Sequence, residues 1–132
     1  MKIAIVGLGF VGLSLTSVLA SKGNNVVGID IDVEQCKKIR NGVSPFFEPY
    51  LEKTLRIGLK KKLTISSDFS LIKDCNMIFV TVGTPQKSNG AIDLSMIRKA
   101  VEIIGRVLAK SKKNPIILIK STVIPGTMQN VI

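Results

Sequence analysis

The sequence predicts an α/β fold built on a doubly wound, mostly parallel sheet. Three observations predict it. Short apolar, β-branched runs alternate with stretches of helical period along the whole chain, as buried parallel strands alternate with the helices that cover them. The glycines of Gly7-Leu8-Gly9-Phe10-Val11-Gly12 sit where the first run gives way to the first helical stretch. The chain has 132 residues, 45% of them apolar, enough for one domain that buries about two thirds of its unfolded surface.

Lys2–Val6 is expected to be a buried strand. From Val11 the period changes, and Val11, Leu15, Val18 and Leu19 are expected on the core face of a helix. Gly23-Asn24-Asn25 ends that helix, and Val26–Ile29 is the second strand. Asp32 caps the next helix while Gln35, three residues on, reaches back in a capping box; Gly42 closes it. Ser44–Pro49 is a Pro-punctuated loop, and Glu48–Leu59 is a helix ending near Gly58. Leu63–Ile65 is a short strand, and Ser67 caps a brief helix through Lys73. Met77–Val82 is a strongly apolar strand and Gly83–Gly90 a loop. Asp93 caps a long helix with Ile92 and Ile97 as its hydrophobic staple and Ile97, Ala100, Val101, Ile104 and Leu108 as its core stripe. Asn114 and Pro115 break it. Ile116–Lys120 is the fifth strand, followed by a Ser-Thr…Pro-Gly loop and the start of another helix. The chain reaches Ile132 without a C-cap signal, so residues 1–132 are expected to be one domain at the N-terminus of a longer, multi-domain protein.

A lone G-x-G-x-x-G is weak evidence. Here it follows a strand, opens a helix, and has Asp30 18 residues beyond its last glycine. Together these make the fingerprint of a Rossmann-type dinucleotide-binding domain. Gly7 permits the tight turn, Gly9 lets the backbone approach a pyrophosphate, and Gly12 lets helix and strand pack closely. The helix N-terminus offers free N–H groups to the phosphates, with the amides of Phe10 and Val11 as donors. Asp30 is placed to accept both ribose hydroxyls and to repel a 2′-phosphate, so the expected cofactor is NAD rather than NADP. Asp32 is read as structural. Ligands of such sheets bind beyond the carboxyl ends of the strands. That rule brings in Gly83 and Thr84 after the fourth strand, and Ser121 and Thr122 after the fifth. Ordinary turns with local hydrogen bonds account for the same residues equally well.

The net charge is +10, from 19 Lys and Arg against 9 Asp and Glu. The basic residues are scattered, Lys60-Lys61-Lys62 being the densest run. No zinc spacing, RNA-binding signature or basic helix accompanies them. A solvated surface that attracts small anions is expected, with no nucleic-acid partner. Cys36 and Cys75 have no metal-ligand spacing, and there is no His. They read as buried free thiols in a reducing, cytoplasmic compartment, and no metal is expected. Ile3–Ala20 is 18 residues without a charge, long enough to raise a membrane span. The spaced glycines and the change of period inside it argue instead for a soluble domain with no membrane partner.

Six motifs occur in order: Lys2–Gly12; Val27–Asp32; Ser44-Pro45 with Glu48-Pro49; Val82-Gly83-Thr84-Pro85; Asn89-Gly90 with Asp93-Leu94-Ser95; and Lys120-Ser121-Thr122-Val123 with Pro125-Gly126-Thr127. Together they resemble the N-terminal NAD-binding domain of the UDP-glucose/GDP-mannose dehydrogenases, over the whole chain. The last two are far more specific than the glycines. The resemblance implies an oxidoreductase of polysaccharide biosynthesis that oxidises the C6 alcohol of a sugar nucleotide to a carboxylate with two NAD. It implies that Asp30 holds the adenosine ribose and that Thr84 lies near the cofactor. It makes Thr122 an auxiliary catalytic group beside the catalytic water or the reacting carbon. The nucleophilic Cys, a Lys/Asn pair and the sugar-binding domain of such enzymes lie beyond these residues. The nucleotide-sugar substrate is therefore expected to bind through that missing part, the full-length enzyme to be a homo-oligomer, and this stretch alone to be inactive. Cys36 and Cys75 lack the nucleophile's Gly-rich context. The sequence departs from the family pattern at Phe10, often Tyr; at Ser14, often Pro; at Gln35, often Lys; and at Tyr50, often Gly.

Two other readings compete. Another nicotinamide dehydrogenase, of hydroxyacid or 6-phosphogluconate type, shares the glycines; the Lys120–Thr127 motif counts against it. A regulatory NAD-binding module shares the fingerprint and the acidic residue. A native gene that continues past Ile132 into a Gly-rich segment bearing a Cys counts against that one.

Overall fold

The computed structural model describes residues 1–130. The elements in order are β1 (Lys2–Val6), α1 (Phe10–Ser21), β2 (Asn25–Ile29), α2 (Val33–Arg40), α3 (Leu51–Leu59), β3 (Leu63–Ser66), a 3-10 helix (Phe69–Asp74), β4 (Met77–Val80), α4 (Ser95–Leu108), β5 (Ile116–Ile119) and α5 (Thr127–Asn130). The strands form one five-stranded sheet in the order β3-β2-β1-β4-β5. Every pairing is parallel, and Ile3 lies between Val26 on one side and Met77 on the other. The chain thus winds outward from β1 in two directions, with all strand carboxyl ends at one end of the molecule. This is the expected α/β, doubly wound architecture.

The strands carry apolar residues on both faces because both faces are covered. On one, Ile3, Ile5, Val26 and Ile65 pack with Leu13 of α1, Ile39 of α2 and Leu55 of α3. On the other, Val6, Val27, Ile29 and Ile78 pack with Ile72 of the 3-10 helix and with Ala100 and Ile104 of α4. Burying each Val, Ile or Leu side chain contributes about 1.5–3 kcal/mol. The charge-free run Ile3–Ala20 is divided between β1 and α1, and no helix among the described residues is long and apolar enough to cross a membrane.

Some local expectations are corrected. The buried residues of α1 are Gly12, Leu13, Thr16, Ser17 and Ala20. Val11 and Val18 are exposed, and Leu15 and Leu19 only flank the core. The helix packs closely on the sheet at Gly12 and Thr16 and on α3 at Ser17 and Ala20, so small residues face inward, because packing density rather than hydropathy decides at such a contact. α3 begins at Leu51 rather than Glu48, because Tyr50 sits at φ 65, a left-handed conformation that a right-handed helix cannot include. Asp68, not Ser67, caps the 3-10 helix, its carboxylate accepting from the Ser70 N–H at 2.8 Å. The long helix has Leu94 at its N-cap, and Asp93 accepts the Ser95 N–H at 2.9 Å from one position further out.

Candidate functional site

The loop between β1 and α1 is fixed from both neighbouring strands. The Gly7 N–H donates to the Ile29 carbonyl at 2.8 Å. The buried Thr81 hydroxyl lies 2.7 Å from the Gly7 carbonyl oxygen and 3.1 Å from that of Val6. The three glycines of the motif differ in what surrounds them. Gly7 has φ +98, and a Cβ there would meet the Val82 nitrogen at 2.9 Å. A Cβ on Gly12 would stand 1.8 Å from the Gly7 carbonyl oxygen, whereas one on Gly9 would meet nothing within 4 Å. Gly7 and Gly12 therefore build the loop, and Gly9 leaves a gap in front of it. Behind that gap α1 starts without a side-chain cap, and the amides of Phe10 and Val11 have no acceptor among the described residues. Unpaired N–H groups at the positive end of a helix favour an anion.

Across the gap stands Asp30, oriented by the loop itself. Its Oδ2 accepts the Leu8 N–H at 2.7 Å and its Oδ1 accepts the Asp32 N–H at 3.0 Å. The Gln35 Nε2 lies 3.1 Å from the Leu8 carbonyl oxygen and 3.4 Å from the Asp30 Oδ2. This corrects the expected capping box. Asp32 does cap α2, accepting the Gln35 N–H at 2.9 Å. The Gln35 side chain does not return to Asp32, because the Asp32 amide already donates to Asp30. It crosses instead to the glycine loop and ties that loop to Asp30.

These groups face a cavity of about 460 Å³ beyond the carboxyl ends of β1, β2 and β4. Of the residues singled out from the sequence, Gly7, Gly9, Asp30 and Gly83 line it. Phe10, Val11 and Gly12 belong to the first turn of α1 beside it. Thr84, Ser121 and Thr122 do not line it. The Ser121 hydroxyl donates to the Val82 carbonyl at 2.6 Å, tying the ends of β4 and β5 together, and Thr122 is exposed. The other lining residues were not singled out as cofactor-binding, among them the five Ile31, Phe69, Met96, Lys99 and Ile103. Met96, Lys99, Ala100 and Ile103 form a second stripe on α4 at helical spacing, which is the signal that was available for three of those five.

Neither thiol belongs to the cavity lining. Both are free and buried, and burial pushes each up from its ordinary value. No group of His, Cys, Asp and Glu able to hold a metal exists among the described residues. Among the described residues, the only ionisable side chains along the cavity are Asp30, Asp32 and Lys99. The arrangement offers an apolar slot, an oriented carboxylate and free helix amides. A dinucleotide carries the complementary groups, a flat ring, a ribose diol and a diphosphate.

A family model described as "UDP-glucose/GDP-mannose dehydrogenase family, NAD binding domain" matches residues 1–132. The chain is 40% identical over 134 residues to a GDP-mannose 6-dehydrogenase of Pseudomonas syringae pv. tomato, covering 100% of this chain and 31% of that protein. It is similar to a crystallised ternary complex of GDP-mannose dehydrogenase from Pseudomonas aeruginosa, with a TM-score of 0.96 and 36% identity over 99% of this chain and 30% of the other. A UDP-glucose dehydrogenase from the archaeon Pyrobaculum islandicum gives a TM-score of 0.91 and 30% identity over 96% of this chain and 30% of the other. The chain thus spans under a third of the length of these relatives.

Proposed function

The chain belongs to the UDP-glucose/GDP-mannose dehydrogenase family as its NAD-binding domain, and from that premise we propose that the whole protein oxidises the C6 alcohol of a sugar nucleotide to a carboxylate with two NAD. Residues 1–132 are then one domain of that protein, which binds the cofactor and turns nothing over alone. The observation that carries this reading is the opposition of the Cβ-free gap at Gly9 to the oriented Asp30 carboxylate across one cavity.

The roles follow from placement. The Phe10 and Val11 amides hold the diphosphate, Asp30 holds the adenosine ribose, and Gly83 leaves room along the β4 end. Gly7 and Gly12 shape the loop. Thr84, Ser121 and Thr122 serve the nicotinamide half beyond β4 and β5, where Thr122 orients water as an auxiliary group. Bound NAD supplies a hydride acceptor. A base and a thiol nucleophile must come from elsewhere in the protein, because Cys36 and Cys75 are buried and neither lines the cavity. The nucleotide-sugar site, the homo-oligomeric assembly and the cytoplasmic location belong to the same reading of the whole protein.

The test mixes the purified domain with NAD and UDP-glucose or GDP-mannose and follows NADH. The expected result is NAD binding by calorimetry and no NADH. Turnover by the domain would place the chemistry within these residues and overturn the proposal. In the whole protein, Thr122→Ala should slow the reaction and spare NAD affinity; an unchanged rate returns Thr122 to a turn residue.

A further inference from the structure

The end of the molecule opposite the cavity carries most of its net positive charge. Because all strands are parallel, one end collects the segments that precede them. Lys2 opens β1, Lys22 follows α1, and Lys60, Lys61 and Lys62 lead into β3. Lys73 precedes β4, and Lys110, Lys112 and Lys113 lie between α4 and β5. These segments touch. The Lys61 Nζ donates to the Ser21 carbonyl at 2.6 Å, and the Ser111 hydroxyl donates to the Lys73 carbonyl at 2.7 Å. Nine lysines thus share an end whose one acid is Asp74, across a sheet edge roughly 20 Å wide at the usual strand spacing.

Local duties explain only part of this set. Lys22 and Lys60 sit at helix C-termini, where a cation offsets the helix dipole. Lys2 and Lys61 donate to backbone carbonyls. Lys62, Lys112 and Lys113 are exposed, and their ammonium groups have no hydrogen bond or ion pair among the described residues. The three ion pairs of the described residues all lie within helices, on other lysines and arginines. Concentrating unpaired like charges disfavours the compact state unless something anionic meets them.

We propose that this lysine end docks on an anionic lipid surface, holding the cofactor cavity away from the membrane. The connecting segments at this end carry lysine and no arginine or aromatic residue; Arg56 and Arg106, in the last turns of α3 and α4, are each paired with a glutamate of their own helix. Lysine is a point charge suited to a diffuse negative surface, whereas fixed phosphate patterns favour the planar fork of arginine. Single-stranded nucleic acid is held by stacking on aromatics, and a duplex groove admits a helix or β-ribbon; here only helix ends and connecting turns are presented. Docking of this kind needs no membrane-crossing helix.

The test is co-sedimentation of the chain with vesicles of phosphatidylglycerol and phosphatidylcholine in equal parts, against phosphatidylcholine alone. Binding is expected to the anionic vesicles only and to fade as salt rises. Lys62→Glu/Lys112→Glu/Lys113→Glu should weaken it by roughly tenfold or more with NAD affinity unchanged, which also shows that the variant is folded. Lys38→Glu/Lys53→Glu/Lys87→Glu makes the same charge change away from that end and should weaken it much less. Absence of binding to anionic vesicles, equal losses in the two variants, or tighter binding to duplex DNA or single-stranded RNA than to vesicles would each overturn the proposal.

Discussion

Gly9 and Gly12 belong to one motif, yet substitution should separate them cleanly. Gly12→Ala places a methyl 1.8 Å from a backbone oxygen, with no flexible side chain there to yield. It should destabilise the domain by about 3 kcal/mol or more, seen as a large fall in the thermal midpoint. Gly9→Val enters open space, so the fold should survive and NAD binding should vanish in calorimetry. Normal binding by Gly9→Val would mean that the gap is not the diphosphate site. Asp30 invites a paired test. Asp30→Ala should weaken NAD by about 1–3 kcal/mol and also strand the Leu8 amide that the carboxylate accepts. Asp30→Asn keeps an acceptor for that amide while removing the charge. It should narrow the preference for NAD over NADP with little loss of stability. An unchanged preference, measured by calorimetry with both cofactors, would remove Asp30 from cofactor selection.

At the scale of elements, α3 starts from a strained residue. Tyr50 holds φ 65 and is exposed, so Tyr50→Gly relieves the left-handed penalty without emptying a core. The expected gain is about 0.5–1 kcal/mol after the extra entropy of glycine in the unfolded chain; Tyr50→Ala should give none. The caps of the 3-10 helix and α4 respond to acid together. The Ser70 and Ser95 amides hold the carboxyls of Asp68 and Asp93 below the usual Asp range. A carboxyl whose folded value is depressed adds stability above its unfolded value and loses it as pH falls through the folded one. Thermal midpoints should therefore drop below about pH 4, and less steeply in Asp68→Asn/Asp93→Asn. The order and type of these elements were legible because short continuous apolar runs alternate with stretches of helical period. The inward face of α1 was not, since Thr16 and Ser17 are buried there by close packing against the sheet and α3 rather than by hydropathy. One side of the cavity was legible from Gly7, Gly9, Asp30 and Gly83. The opposite wall was not, because Phe69 and Met96 come from elements far along the chain and carry no motif.

The molecule as a whole is an arrangement around β1. Both thiols lie within it and are held protonated by burial, so thiol reagents at neutral pH should label the native chain far more slowly than the denatured one; fast native labelling would show that the core opens. A folded thiol whose value is raised contributes stability below its unfolded value and loses it as pH rises through the folded one, so alkali acts on these two residues as acid does on the caps. The central place of β1 also sets a timetable for synthesis. One edge of β1 is closed by β2, whose residues follow within the first 29, but the other waits for Met77–Val80. A ribosome adding about 5–20 residues per second therefore exposes a nascent sheet, already closed on its β3 side by Ser66, whose innermost strand has one bare edge for about one to three further seconds.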